Sequence, residues 1–222
     1  MKRISILVLA LILVTTAASA GGVRHGSLDS TTASLDRVIE IDRSDATFLL
    51  GLSILAVTHR IPIGFELSIN AEDNINRQIH LKSGTLKSIL DSLVAQEPRY
   101  KWELRDGVIN ITPKVGRDPF LAHFLDTRVG RFVPPPGTTD KFKLRDAVLN
   151  LPEVLQLLET SAVSVRPYDY PYRGSIYSTD DVNLEISDTN VRGVLNHMAK
   201  QTEHKMWSLE RVGEKKELLL TY

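Results

Sequence analysis

The feature that most limits what this chain can become is that it matches itself. Residues 79–96 and 184–201 align at a constant offset of 105. Leu81 then meets Ile186, Leu86 meets Val191, Ile89 and Leu90 meet Val194 and Leu195, and Leu93 meets Met198. Gln96 meets Gln201, and Leu104 meets Leu209. The only two tryptophans of the chain, Trp102 and Trp207, fall in the same register. A repeat constrains the fold before any single residue does, because both copies must be satisfied by the same local structure.

Each copy reads the same way physically. Ile79 and Leu81 alternate with His80, as Val182, Leu184 and Ile186 alternate with Asn183 and Glu185. That is the period of a half-buried strand. Leu86, Ile89, Leu90, Leu93 and Val94 then fall at helical spacing and form one apolar stripe, repeated by Val191, Val194, Leu195, Met198 and Ala199. Ser83 or Thr85 is placed to cap the first helix, and Asp188 or Thr189 the second. Trp102 and Leu104 alternate with polar neighbours, and Asp106-Gly107 signals a tight hairpin before Val108, Ile109 and Ile111. The second copy has a longer charged turn, Gly213 to Lys216, before Leu218 and Leu220.

The upstream halves agree in outline. In the first, Val38 to Ile41 reads as a strand, Ser44 or Asp45 as a cap, and Thr47 to His59 as an apolar helix. Ile61 to Leu67 then reads as the next strand. In the second, Phe142 to Leu144 reads as a strand, and Pro152 suits a first helical turn. Val154, Leu155 and Leu158 give that helix its face, and Val163 to Val165 a further strand. The expected fold is α+β: two repeated small βαββαββ modules, residues 38–112 and 140–222, with helices packed on mixed or antiparallel sheets. Residues 113–139 form the connector, where Pro134-Pro135-Pro136-Gly137 interrupts both helix and central strand. Phe120, Phe124, Leu125 and Phe132 imply that this connector packs on one module.

The chain opens with Met1-Lys2-Arg3, an apolar run from Ile4 to Val14, and a small-residue end at Ala18-Ser19-Ala20. This is the layout of a secretory signal peptide with cleavage after Ala20, and it implies a periplasmic destination. A spanning helix needs about 20 apolar residues, so no integral membrane span is expected after cleavage. Residues 21–37 read as a flexible N-terminal segment. The chain has no cysteine, which excludes disulfides, thiolate metal sites and a lipid-modified cysteine. Removing residues 1–20 takes away Lys2 and Arg3 and leaves 25 basic against 27 acidic residues. That balance argues against nucleic acid as a partner, which would call for a strongly basic face.

The run Leu81 to Gln96, then Trp102, then Asp106-Gly-Val-Ile-Asn-Ile111, resembles the secretin/TonB short N-terminal (STN) domain. The resemblance covers residues 38–112 closely and 140–222 more loosely. Its motif consists of core residues and one turn, so it speaks to fold more than to function. It implies periplasmic placement and protein–protein work, as in secretin channels and in receptors that signal across the envelope. No secretin pore and no receptor plug or barrel accompanies the modules in this sequence, so only the adaptor-like use carries over.

Catalytic and metal chemistry find little support. His25, His59, His80, His123, His197 and His204 show no ligand spacing, and no cofactor or metal is expected. There is no nucleophile elbow, P-loop or dinucleotide fingerprint. Carboxylate pairs such as Glu40/Asp42 and Asp180/Asp181 are commoner on solvated strand ends than in hydrolytic sites. One segment departs from ordinary composition: Pro167 to Tyr177 holds four of the six tyrosines. Its rings either lie over their own module or form a recognition surface, and Tyr168, Tyr170, Tyr172, Arg173 and Tyr177 are the candidate binding residues. Two functions follow. The first is a non-catalytic binding or assembly module that engages envelope proteins, acting through exposed strand edges. The alternative is a periplasmic hydrolase acting on cell-wall material, with its site between the modules.

Overall fold

The computed structural model describes residues 34–69, 78–135, 138, 141–167, 184–203, 205–212 and 217–221. Val38–Thr47 forms strand β1 and leads directly into helix α1, Phe48–Val57. Thr47 caps that helix, its hydroxyl accepting from the Leu50 amide at 3.2 Å. The expected caps, Ser44 and Asp45, lie inside the strand instead. Strands β2 (Ile63–Glu66) and β3 (Gln78–Thr85) follow, then helix α2 (Leu86–Gln96) and the hairpin β4 (Tyr100–Arg105) and β5 (Val108–Pro113). Asp106 and Gly107 both take positive φ, 54° and 77°, as a two-residue hairpin turn of this composition requires.

The segment read as a connector carries secondary structure of its own. Pro119–Asp126 is helix α3 and Arg128–Phe132 is strand β6. Phe142 to Leu144, read as a strand, belongs to helix α4, Lys141–Leu149. The alternation there is too short to decide the matter, whereas Leu144 and Val148, one helical turn apart, are both fully buried. Helix α5 (Pro152–Thr160) has its proline in the first turn and buries Val154, Leu157 and Leu158, while Leu155 faces out. After β7 (Ser164–Val165) come β8 (Ile186–Asn190), helix α6 (Val191–Gln201), β9 (Met206–Val212) and β10 (Glu217–Thr221). The α6 cap is Asn190, whose Oδ1 accepts from Gly193 at 2.9 Å. Asp188 and Thr189, the expected caps, are still strand residues. Thr85, one of the two candidates for α2, does cap that helix, accepting from Ser88 at 3.2 Å.

The fold is α+β. β1 pairs antiparallel with β3, and β6 pairs antiparallel with β8. The remaining strands form one six-stranded mixed sheet in the order β4-β5-β2-β9-β10-β7. β2 runs parallel to β5 on one side and to β9 on the other, so the two halves of the chain share a continuous sheet. In each triplet a strand lies parallel to the inner member of an antiparallel hairpin.

Side-chain direction completes the geometry. Tyr100, Ile109, Ile111, Ile63 and Phe65 enter one core with α1 and α2. Trp207, Leu209, Leu218 and Leu220 enter a second core with α3 to α6. The registers put these two sets on opposite faces of the sheet, since Gly64 pairs with Trp207 while Phe65 pairs with Ser208. Strand directions reverse between the triplets as well. A half-turn about an axis running across the strands therefore carries one triplet's layout onto the other's, with the lateral order kept.

Candidate functional site

The seam between β2 and β9 is where the two halves meet, and it buries a charged residue, Glu66. Gly64 and Glu66 point to the face of the sheet that carries Trp207 and Leu209. Glycine inside a strand marks a close approach by another group, and here the group is an indole. A Cβ on Gly64 would lie 2.8 Å from Trp207 Nε1, with ring carbons closer still. Trp207 is held flat by donating from Nε1 to Asn196 Oδ1 on α6 at 3.0 Å.

Glu66 is fully buried and is gripped by two arginines from different elements. Arg117, just before α3, donates from Nε to Oε1 at 2.7 Å and from Nη2 to Oε2 at 3.0 Å. Arg192, on the first turn of α6 and itself only 4% exposed, donates from Nη2 to Oε2 at 3.1 Å. Its Nη1 reaches Asn110 Oδ1 on β5 at 3.4 Å, and its guanidinium lies 5.9 Å from the Trp207 ring centroid. Hydrogen bonding to Glu66, ahead of the opposing cost of burial, raises the Arg117 pKa. The next residue, Asp118, caps α3 through the Phe120 amide at 2.7 Å and pairs with Arg211 of β9 at 3.2 Å. Two consecutive residues thus fasten the chain to both sides of the seam.

Beside this network lies a cavity of about 290 Å³, lined by Lys101, Glu103, Arg105, Thr112, Arg117, Asp126 and Arg192. The site between the halves expected of a hydrolase would need carboxylates free to move protons. Both oxygens of Glu66, the buried carboxylate at the seam, are already engaged by guanidinium groups. Its arrangement is that of a structural clamp.

The sheet's outer edge at β4 is different in character. Among the described residues β4 pairs only with β5. Trp102 is half-buried, donating from Nε1 to Asp91 Oδ1 on α2 at 3.0 Å, and Leu104 is 41% exposed. Lys87 closes the group with a 2.7 Å ion pair to Asp91. The Lys87 hydrogen bond, ahead of the Trp102 bond, holds the Asp91 carboxyl below the ordinary carboxylate range.

The candidate binding residues Tyr168, Tyr170, Tyr172, Arg173 and Tyr177 lie outside the described residues. Of the histidines, His80 is exposed on β3, and His197 is half-buried on α6 with its pKa lowered by burial and then by Lys200. Among the described residues no three His, Asp or Glu side chains gather as a metal site, and no helix is long and apolar enough to cross a membrane. Sequence reasoning passed over Gly64, Glu66 and Arg192. The signal was present in Ile61 to Leu67, where a glycine and an acid interrupt a strand otherwise fit for a core. No protein-family model, curated protein or solved structure matches the chain.

Proposed function

We propose that this chain is an exported, non-catalytic binding and assembly module of the bacterial cell envelope, working through protein–protein contacts. The observation that carries the proposal is the β4 edge, whose backbone pairs on one side only among the described residues and which presents Trp102 and Leu104. An edge strand is a ready template for a partner's extended segment, with main-chain hydrogen bonds giving affinity and side-chain pockets giving choice. Residues 1–20 support the periplasmic destination through their basic start, apolar run and small-residue end. The core pattern shared with STN domains supports an adaptor-like use, and the tyrosine-rich segment from Pro167 to Tyr177 supplies a second candidate contact.

The test is affinity capture of the tagged mature protein from its own envelope, comparing wild type with Leu104→Lys. A lysine on the edge discourages strand pairing, and Leu104 is already exposed. Capture should fall sharply while melting is unchanged. Tyr170→Ala and Tyr172→Ala, singly and together, measure the second contact in the same way. Capture that is indifferent to Leu104→Lys would refute the β4 edge as the binding surface.

A further inference from the structure

The seam inside this molecule is a filled example of the edge that β4 leaves open. At the offset of 105, Trp207 corresponds to Trp102, Asn196 to Asp91 and Arg192 to Lys87. The correspondence extends to hydrogen bonds, since each indole donates from Nε1 to the helix side chain eleven positions before it, at 3.0 Å in both halves. The two hairpins also agree in register, Leu104 lying opposite Ile109 as Leu209 lies opposite Leu220. β9 uses its outer edge to hold β2 in parallel, with Gly64 beneath Trp207 and Glu66 two residues on. β4 has the same edge, and among the described residues no strand lies along it.

We infer that β4 accepts a parallel strand from a partner protein that places glycine opposite Trp102 and an uncharged residue two positions later. This rests on the binding role proposed above and names the kind of strand that the edge selects. The glycine follows from the indole. Trp207 leaves no room for a Cβ on the strand beside it, and Trp102 is held in the matching orientation by Asp91. The uncharged residue follows from the charges that stand beneath the two indoles. Arg192 sits beside a neutral Asn196 and is free to bind Glu66, whereas Lys87 is already neutralised by Asp91. A partner carboxylate at that position would find this cation already paired.

Strand β7 of a second copy does not fit the description. The pairing of Val165 with Leu218 carries Pro167 to the level of Leu220, the place Ile63 holds beside Ile109. Ile63 donates its amide across the seam to the Lys205 carbonyl at 2.7 Å, and proline has no amide to donate.

The test uses free peptides with the sequence of residues 62–68, fluorescently labelled, against the full mature protein. Three versions are compared: the natural sequence, one with the glutamate replaced by glutamine, and one carrying that glutamine with the glycine replaced by valine. Polarisation should show the glutamine peptide binding best and the valine peptide at least tenfold more weakly. The natural peptide should fall between them, and Asp91→Asn in the protein should close its gap to the glutamine version. Trp102→Leu should abolish the preference for glycine. Equal binding of the glycine and valine peptides, or binding of neither, would overturn the inference. If Leu104→Lys still reduced envelope capture in that event, the binding role would stand and only the pairing rule would be lost.

Discussion

The Trp207 indole covers Gly64 of the neighbouring strand so closely that a Cβ there would come within 2.8 Å of Nε1. Both groups are fixed from behind, the ring by Asn196 and the strand by pairing on both sides, so neither has room to retreat. Gly64→Ala should therefore destabilise the protein by about 1–3 kcal/mol, the usual cost of overpacking a well-filled core. Gly130→Ala, where a Cβ meets nothing within 4 Å, should stay within about 0.5 kcal/mol. Urea denaturation of the two variants checks the contrast.

Glu66 joins β2 to α6 and to the segment before α3, and its partner Arg192 is as deeply buried as it is. Removing the carboxylate leaves the nearly buried guanidinium without its counter-charge. Glu66→Gln should cost about 3–5 kcal/mol, the range seen when one member of a buried ion pair is lost. Arg117→Gln should cost less, because Arg117 is partly exposed and Arg192 would still hold the acid. The comparison is made at equilibrium, in denaturant, for the two single variants.

Leu90 and Leu195 occupy corresponding places on α2 and α6, and both are fully buried. Leu90→Ala and Leu195→Ala should each cost about 2–5 kcal/mol. Because the two cores sit on opposite faces of one sheet, a single unfolding transition in each variant would show that the seam couples them. Two separated transitions would show that it does not.

Much of this architecture was legible in the sequence, and the reasons are physical. Helices α2 and α6 announced themselves because five apolar residues at helical spacing leave one face to bury, and Asp106-Gly107 announced its turn through its backbone freedom. The misreadings occurred where local pattern was short. Phe142 to Leu144 alternates for three residues only, and the burial of Leu144 with Val148 decided for helix. Arg128–Phe132 was obscured by the prolines that follow it, and it becomes a strand because β8 supplies its partner. The seam was the hardest to foresee, because Glu66 and Arg192 are 126 positions apart and nothing local ties them together.

His197 gives the fold a pH dependence with a defined sign. Burial, and then the Lys200 charge, lower its pKa in the folded state below the unfolded value of about 6.5. The unfolded chain thus binds more protons in the window between the two values, and stability falls as pH drops through it. Below the folded value the loss levels off. His197→Gln should flatten this part of the stability profile between pH 7.5 and 5, measured by denaturant midpoints, while leaving the neutral-pH fold intact.

The most direct measurement is amide hydrogen exchange over Tyr100–Arg105 in the mature protein, alone and in the presence of the envelope fraction from its own cells. If β4 is the edge that takes a partner strand, its outward amides should exchange quickly in the isolated protein and slow markedly when the partner is present. Leu104→Lys should remove that protection, and β10, already paired on both sides, should show no change in either case. Protection that arises elsewhere while β4 exchanges as before would contradict the proposal.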